Sequence, residues 1–256
     1  MITLLNGEHW NEEEILTQMY SDEFYYGHLG KHALSSSSLK LILKSPKTYR
    51  NITKYGDPGL NSPALAAGKL AHWMVLEPHK IDALHFVDAS TKNTKIYKDA
   101  KEKYGEVFLT KERTAAERLT DAVLRNEAAL KLLTGSDFEV PCIDMLEGLP
   151  FRGKADIVQG DTLIDYKTTS GDLESFRYAC DKYSYDLQAY LYLRMFKLKK
   201  FVFLVIDKSS TDIAILEASD TFIKKGEYKF QQAVENYKYF FEEGNDLDQY
   251  VMRGVL

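Results

Sequence analysis

The stretch from Phe151 to Ser170, FRGKADIVQGDTLIDYKTTS, constrains the fold of this chain most. Two apolar runs, Pro150 to Val158 and Thr162 to Thr168, flank the turn signal QGD and predict a β-hairpin. Asp156 stands on the first run, Asp165 and Lys167 on the second, among Ala155, Ile157, Ile164 and Tyr166. Aspartate is disfavoured on a pleated, half-buried surface. A charge held there costs stability unless it is paired or bound to a metal. Alternate residues of a strand share a face, so Asp165 and Lys167 project together, and a turn near Gly160 brings Asp156 close to Asp165. Two converging carboxylates make an oxygen-rich site suited to Mg2+ or Mn2+, with the backbone carbonyl of Tyr166 as a further ligand. The competing explanation is an exposed cross-strand ion pair. The apolar flanks favour the metal site.

The rest of the chain supplies elements to cover such a hairpin. A short amphipathic helix is expected over Asn11 to Tyr20. In LSSSSLKLILKSPKTY the serines suit N-capping, leucines and isoleucine follow at helical spacing, and Pro46 reads as a stop. DPGLNSP reads as a loop, and ALAAGKLAHWMVL, ended by Pro78, as an apolar helix. Residues 92–134 predict one short helix followed by one long one. A strand over Phe138 to Met145 precedes the hairpin. Helices near Leu173 to Cys180 and Tyr185 to Lys197 follow it, then the strands FVFLVIDK and DIAILEA and a final helix over Ser219 to Glu243. The expectation is one α/β domain over 1–256: a helical part to about 135, hairpin and sheet over 136–218, and a C-terminal helix over 219–243.

With 45% hydrophobic and 28% charged residues the composition is that of an ordinary globular protein. No apolar run approaches the roughly 18 residues of a membrane span. The opening MITLLNGEHWNEEE lacks the features of a secretory signal, and Cys142 and Cys180 are too few for a disulfide framework or a four-cysteine cluster. A cytoplasmic location is expected. The formal net charge of −5 argues against a surface that coats nucleic acid throughout, while leaving room for a locally basic cleft.

A hairpin carrying D-x(6–30)-[D/E]-x-K is the pattern of the PD-(D/E)xK nucleases. The blocks LSSSSLKLILKSPKTY, ALAAGKLAHWMVLEP, FRGKADIV, LIDYKTT and YSYDLQAYLY, in that order from about Leu34 to Leu193, resemble the exodeoxyribonuclease VIII (RecE-like) branch of phage and prophage recombination systems, related to lambda exonuclease. FVFLVIDK extends the likeness to about Lys208. The resemblance implies a restriction-endonuclease-like core, a central mixed β-sheet flanked by helices. It implies a metal-dependent exonuclease that degrades one strand of duplex DNA from a 5′ end and leaves a 3′ overhang for a single-strand-annealing partner. A ring-like homo-oligomer around DNA ends is also implied. By position, His72 falls on a metal-ligating histidine, Asp156 and Asp165 on the metal-binding aspartates, Lys167 on the catalytic lysine and Gln188 on the glutamine of the following helix. Ala155 replaces the proline of the wider pattern, which is no ligand.

Other residues carry weaker expectations. Glu139 is a candidate third carboxylate, against the ordinary reading of a charged strand end. Ser37 and Lys40, at a helix N-terminus, offer a grip for a terminal 5′-phosphate, though N-capping explains the serines equally well. Tyr192 is expected one turn beyond Gln188 as channel lining or core, Tyr185 and Tyr190 are left between those two roles, and Glu77 is a candidate support behind the metal ligands, against the ordinary reading of a solvated charge at a helix end. Lys92, Lys95, Lys98, Lys101 and Lys103, like Lys197, Lys199 and Lys200, read as solvated faces or as DNA-backbone contacts. Rival functions are an endonuclease of restriction or repair type and a non-catalytic DNA-binding module. An iron–sulfur nuclease fails on cysteine count. No GxxxxGK[ST] phosphate loop is present.

Overall fold

The computed structural model describes residues 1–56 and 63–251, and for 63–67 the backbone alone. The chain starts with an antiparallel ribbon of β1 (Ile2–Thr3) and β2 (His9–Trp10). Next comes α1 (Glu12–Gln18), whose N-cap Asn11 accepts the Glu13 N–H. A π-helical turn over Glu23–His28 leads into α2 (Leu29–His32). In α3 (Ser36–Lys44) Ser35 is the N-cap, its hydroxyl accepting the Ser38 N–H at 3.2 Å. Pro46, expected as a stop, also opens α4 (Pro46–Tyr55). At the first helical position its missing N–H removes no helical bond and its fixed φ suits the helix. Most of the expected DPGLNSP loop lies outside the described residues. The apolar helix is α5 (Pro63–Leu76), followed by a 3-10 turn over Pro78–Ala83.

Residues 92–134 depart from expectation. Here β3 (His85–Val87) and β4 (Val107–Leu109) pair in parallel around α6 (Lys95–Tyr104). The expected long helix is two, α7 (Thr110–Arg125) and α8 (Glu127–Leu133), because the Asn126 side chain caps a fresh helix through the Ala129 N–H. The buried run Val107-Phe108-Leu109 is too short to reveal a period of two.

The main sheet has five strands in sequence order: β5 (Asp137–Leu146), β6 (Leu149–Gln159), β7 (Thr162–Thr169), β8 (Lys200–Asp207) and β9 (Ile213–Glu217). All neighbours are antiparallel except β7 and β8. A parallel pair needs a crossover, which α9 (Phe176–Lys182) and α10 (Tyr185–Phe196) provide. The long C-terminal helix is α11 (Asp220–Tyr237), continued by a π-helical turn over Lys238–Glu242. Helices cover both faces. Ile164, Tyr166 and Leu204 pack with Leu70 of α5 and Leu119 and Val123 of α7. On the other face Leu163, Phe201 and Phe203 pack with Phe176 of α9 and Ala189 of α10. A further cluster joins α3, α10 and α11 through Leu39, Leu187 and Phe230. This is the expected mixed α/β sandwich. Among the described residues no helix is long and apolar enough to cross a membrane.

Candidate functional site

The predicted hairpin is β6 and β7, but its pairing stops where the charges begin. Backbone partners run Gln159 with Thr162, Val158 with Leu163 and Ile157 with Ile164. At the next row the Asp156 carboxylate takes over, Oδ2 accepting the Tyr166 N–H at 2.9 Å. On the other side β5 and β6 pair Phe138 with Ile157 and Val140 with Ala155, skipping the intervening Glu139 and Asp156. Glu139 there adopts φ 51°, the left-handed region. A non-glycine residue in that region costs about 1–3 kcal/mol and persists only where the surrounding structure holds it there. Ala155 packs under α9 and α10 while Ile157 packs under α5 and α7. Asp156 therefore sits where β6 changes face, as at a bulge that re-aims a side chain. Glu139, Asp156 and Asp165 thus lie on one row across three strands.

α5 brings the imidazole. Its Gly68 lies against β7 so closely that a Cβ would stand 3.3 Å from Thr168 Oγ1. One helical turn later His72 reaches the row, with Nε2 3.3 Å from Asp156 Oδ2 and 3.6 Å from Glu139 Oε1. Ligand atoms of His72, Glu139 and Asp156 all lie within 4.8 Å of one another. Glu139 Oε1 is buried with no hydrogen-bond partner, an orphan acceptor facing the cluster. Burial, then the Asp156 charge, raises the Glu139 pKa to about 7. Burial opposes charge on His72, yet Asp156 and Glu139 outweigh it and raise the His72 pKa. Burial likewise opposes ionisation of Asp156, but His72, Lys167 and the Tyr166 N–H together lower its pKa.

Asp165 points elsewhere. It is 4% exposed. Its Oδ2 lies 2.6 Å from Lys167 Nζ, and Oδ1 accepts Gln188 Nε2 of α10 at 2.8 Å. Gln188 Oε1 in turn accepts Lys40 Nζ of α3 at 3.3 Å. The Tyr185 ring lies 5.2 Å below both lysine ammonium groups. Burial raises the Asp165 pKa, and the Asp156 charge adds to that against the pull of Lys167. Burial works against the Lys167 ammonium, but Asp165 and Asp156 prevail and raise its pKa. The depressed pKa that a lysine base requires is therefore not its state here.

The structure brings most of the expected site residues together. His72, Asp156, Asp165, Lys167, Gln188 and Lys40 converge. Glu139, the weaker expectation, stands with His72 and Asp156, while Asp165 is held by Lys167 and Gln188. Ser37 lies exposed in the first turn of α3, beside the capping Ser35. Tyr192 packs its ring on Gly153 of β6, where a Cβ would meet it at 3.2 Å. The Tyr166 side chain is core. Glu77, expected in solvent, is buried and paired with Lys80 at 2.9 Å. Lys92 is engaged by Glu112 at 2.8 Å, whereas Lys95, Lys98, Lys101 and Lys103 are exposed on α6. The expectation for Glu139 could have been stronger: the turn EGLP sets a register that puts it opposite Asp156.

Comparisons with known proteins bear on the fold and the family. In structure the chain is similar to a candidate exonuclease from Eubacterium rectale, with a TM-score of 0.65 at 17% identity over 92% of this chain and 95% of that one. A phage-related exonuclease from Haemophilus somnus 129PT matches at a TM-score of 0.35 and 14% identity, covering 83% of this chain and 96% of that one. Among curated proteins none matches by sequence. Residues 35–246 match the family described as PDDEXK-like domain of unknown function (DUF3799). That match over most of the length, with a carboxylate row across three strands whose last strand carries the D-x-K pattern, makes this chain a member of the PDDEXK-like family.

Proposed function

We propose that the protein is a divalent-metal-dependent exodeoxyribonuclease that degrades one strand of linear duplex DNA from a 5′ end and leaves a 3′ overhang. The observation that carries this reading is the row of Glu139, Asp156 and Asp165, which His72 joins from α5 and Lys167 from the strand of Asp165. The fold shared with the Eubacterium rectale candidate exonuclease supports it.

An imidazole nitrogen and two carboxylates, one with an orphan buried oxygen, fit a hard divalent cation such as Mg2+, with Mn2+ as substitute. His72, Glu139 and Asp156 would hold it; the family resemblance adds the Tyr166 carbonyl and Asp165, which would have to share an oxygen now engaged by Lys167 or Gln188. When bound, such an ion polarises a phosphate and lowers the pKa of a water. Lys167 remains an ammonium and orients the attacking water or offsets charge on the phosphate. Gln188 fixes the Asp165 carboxylate and ties Lys40 to it. Lys40, its pKa lowered to about 8 by burial and by the Lys167 charge, offers a second cation to a phosphate, with Ser37 beside it on α3. A ring-like homo-oligomer and a single-strand-annealing partner complete the proposal.

The test uses linear duplex DNA labelled at either end and a closed circle, with and without Mg2+. Loss of 5′ label from the linear form, with the circle intact and chelator blocking the reaction, is the expected result. Cutting of the circle replaces the reading with an endonuclease. Absence of cleavage in both Mg2+ and Mn2+ leaves a DNA-binding module.

A further inference from the structure

The connection between α9 and α10 carries a feature that the phosphodiester chemistry does not use. Ser184, the second of the two residues between the helices, has φ 48° and ψ 53°, the left-handed conformation. An L residue other than glycine, asparagine or aspartate visits this region rarely and at a cost. Its effect is to fold the flanking Tyr183 and Tyr185 side by side, with ring centroids 5.8 Å apart and planes 31° from parallel. Tyr185 continues inward to Phe176, centroids 5.8 Å apart and planes 30° from parallel. Tyr185 is half-buried beneath Lys40 and Lys167, and Tyr183 is 50% exposed, so the row of rings runs from the lysines out to solvent. The outer end is again basic: Lys182 Nζ lies 5.3 Å above the Tyr183 ring.

Packing does not require this arrangement. A core aromatic is covered, whereas about half of the Tyr183 surface is left in solvent, at a cost in apolar hydration. Aromatic rings interleaved with lysines are, in contrast, what an unpaired nucleic-acid strand needs. Each base has a π-face to stack, and the phosphates along its backbone have ammonium groups to meet. The strand being degraded must leave its duplex partner to reach a half-buried row of carboxylates whose Asp165 is 4% exposed, so its bases are unpaired near the scissile phosphate. We infer that Tyr183, supported by Tyr185, is a stacking site for a nucleobase of the cleaved strand next to the phosphate held by Lys40 and Lys167. The inference rests on the nuclease reading for its substrate and gives that substrate a handle on the protein beyond its phosphates. Because stacking accepts every base, the site confers grip without sequence preference.

The test has two arms, chosen so that the two readings fail separately. In the binding arm, Ca2+ replaces Mg2+, and 2-aminopurine is placed one nucleotide at a time from the 5′ end of a linear duplex with a short frayed end. Wild-type protein should quench its fluorescence at one position near the end. Tyr183→Ala should lose that quenching and weaken binding by about tenfold, the ordinary worth of one base–aromatic stack, while Tyr183→Trp retains both. In the cleavage arm, an abasic nucleotide at the quenched position should slow the wild type about tenfold and slow Tyr183→Ala no further. Equal quenching by wild type and Tyr183→Ala, or abasic and Tyr183→Ala losses that multiply, overturns the stacking site. Cleavage absent in every arm, with Tyr183-dependent quenching intact, overturns the nuclease reading and leaves the stacking site standing.

Discussion

Gln188 and Asp165 are joined by a 2.8 Å hydrogen bond from the amide Nε2 to carboxylate Oδ1, across the gap between α10 and β7. This bond, with the Gln188–Lys40 contact at 3.3 Å, ties three separate segments of the chain to one carboxylate. Asp165 is nearly inaccessible to water, so both its oxygens depend on protein partners. Removing Gln188 leaves Oδ1 buried and unpaired and releases Lys40. A hydrogen bond to a charged group is worth about 1.5–3 kcal/mol. Gln188→Ala should therefore lower kcat/KM on linear duplex DNA by roughly 10- to 100-fold. Gln188→Glu should do worse, since it sets a second carboxylate against Asp165. Wild-type rates in both variants would remove Gln188 from the machinery.

Glu139 makes a prediction about pH. Its pKa rises from 4.5 to about 7, so the folded protein binds a proton there that the unfolded chain has lost. Stability contributed at this position is therefore present below the unfolded value and declines as pH rises toward 7, by about 3 kcal/mol at 1.4 kcal/mol per unit. Glu139→Gln, neutral at every pH, should match the metal-free wild type near pH 5 and exceed its Tm at pH 8. A Tm difference independent of pH would show that Glu139 is ionised throughout.

The same position predicts how metal binding depends on pH. A ligand must shed its proton to bind, so Mn2+ should raise the Tm more at pH 8 than at pH 6 and should release protons on binding. Glu139→Gln and Asp156→Asn should each abolish the Mn2+-dependent rise. Calorimetry in buffers of different ionisation enthalpy measures the protons released. Undiminished Mn2+ stabilisation of both variants would place the ion elsewhere.

How much of this was legible depended on range. The hairpin could be read directly, because apolar alternation and the QGD turn are local and the intrusion of Asp156, Asp165 and Lys167 is visible as an anomaly. His72 needed the resemblance, since a histidine in an apolar helix is more often a satisfied core residue. The lock of Gln188 on Asp165 joins residues 23 positions apart, and the Lys40–Gln188 contact spans 148. Those pairings follow from how α3 and α10 pack on the sheet, and no local pattern encodes them. The left-handed φ of Glu139 was invisible for a related reason. Glutamate has no preference for that region, so tertiary packing imposes it against local propensity.

The crossing of α10 and α11 carries the final prediction, because it fixes where Gln188 can reach. Asp186 is fully buried and pairs with Lys229 of α11, Nζ lying 2.8 Å from Oδ1 and 2.7 Å from Oδ2. At the same crossing a Cβ on Gly226 would stand 2.1 Å from the Asp186 carbonyl oxygen, so only glycine permits the approach. Breaking a buried pair strands the remaining charge and costs about 3–5 kcal/mol, whereas replacing both partners by apolar groups is often neutral. Asp186→Ala should accordingly lose about that much in urea unfolding, and Asp186→Leu with Lys229→Met should recover most of it. If the ion pair serves only stability, the recovered double variant cleaves as the wild type does. If it also sets the register of α10, the double variant folds but loses rate with KM little changed, because Gln188 no longer meets Asp165 squarely. A destabilised double variant, as weak as Asp186→Ala alone, would refute the apolar substitution argument and leave the pair indispensable to the crossing itself.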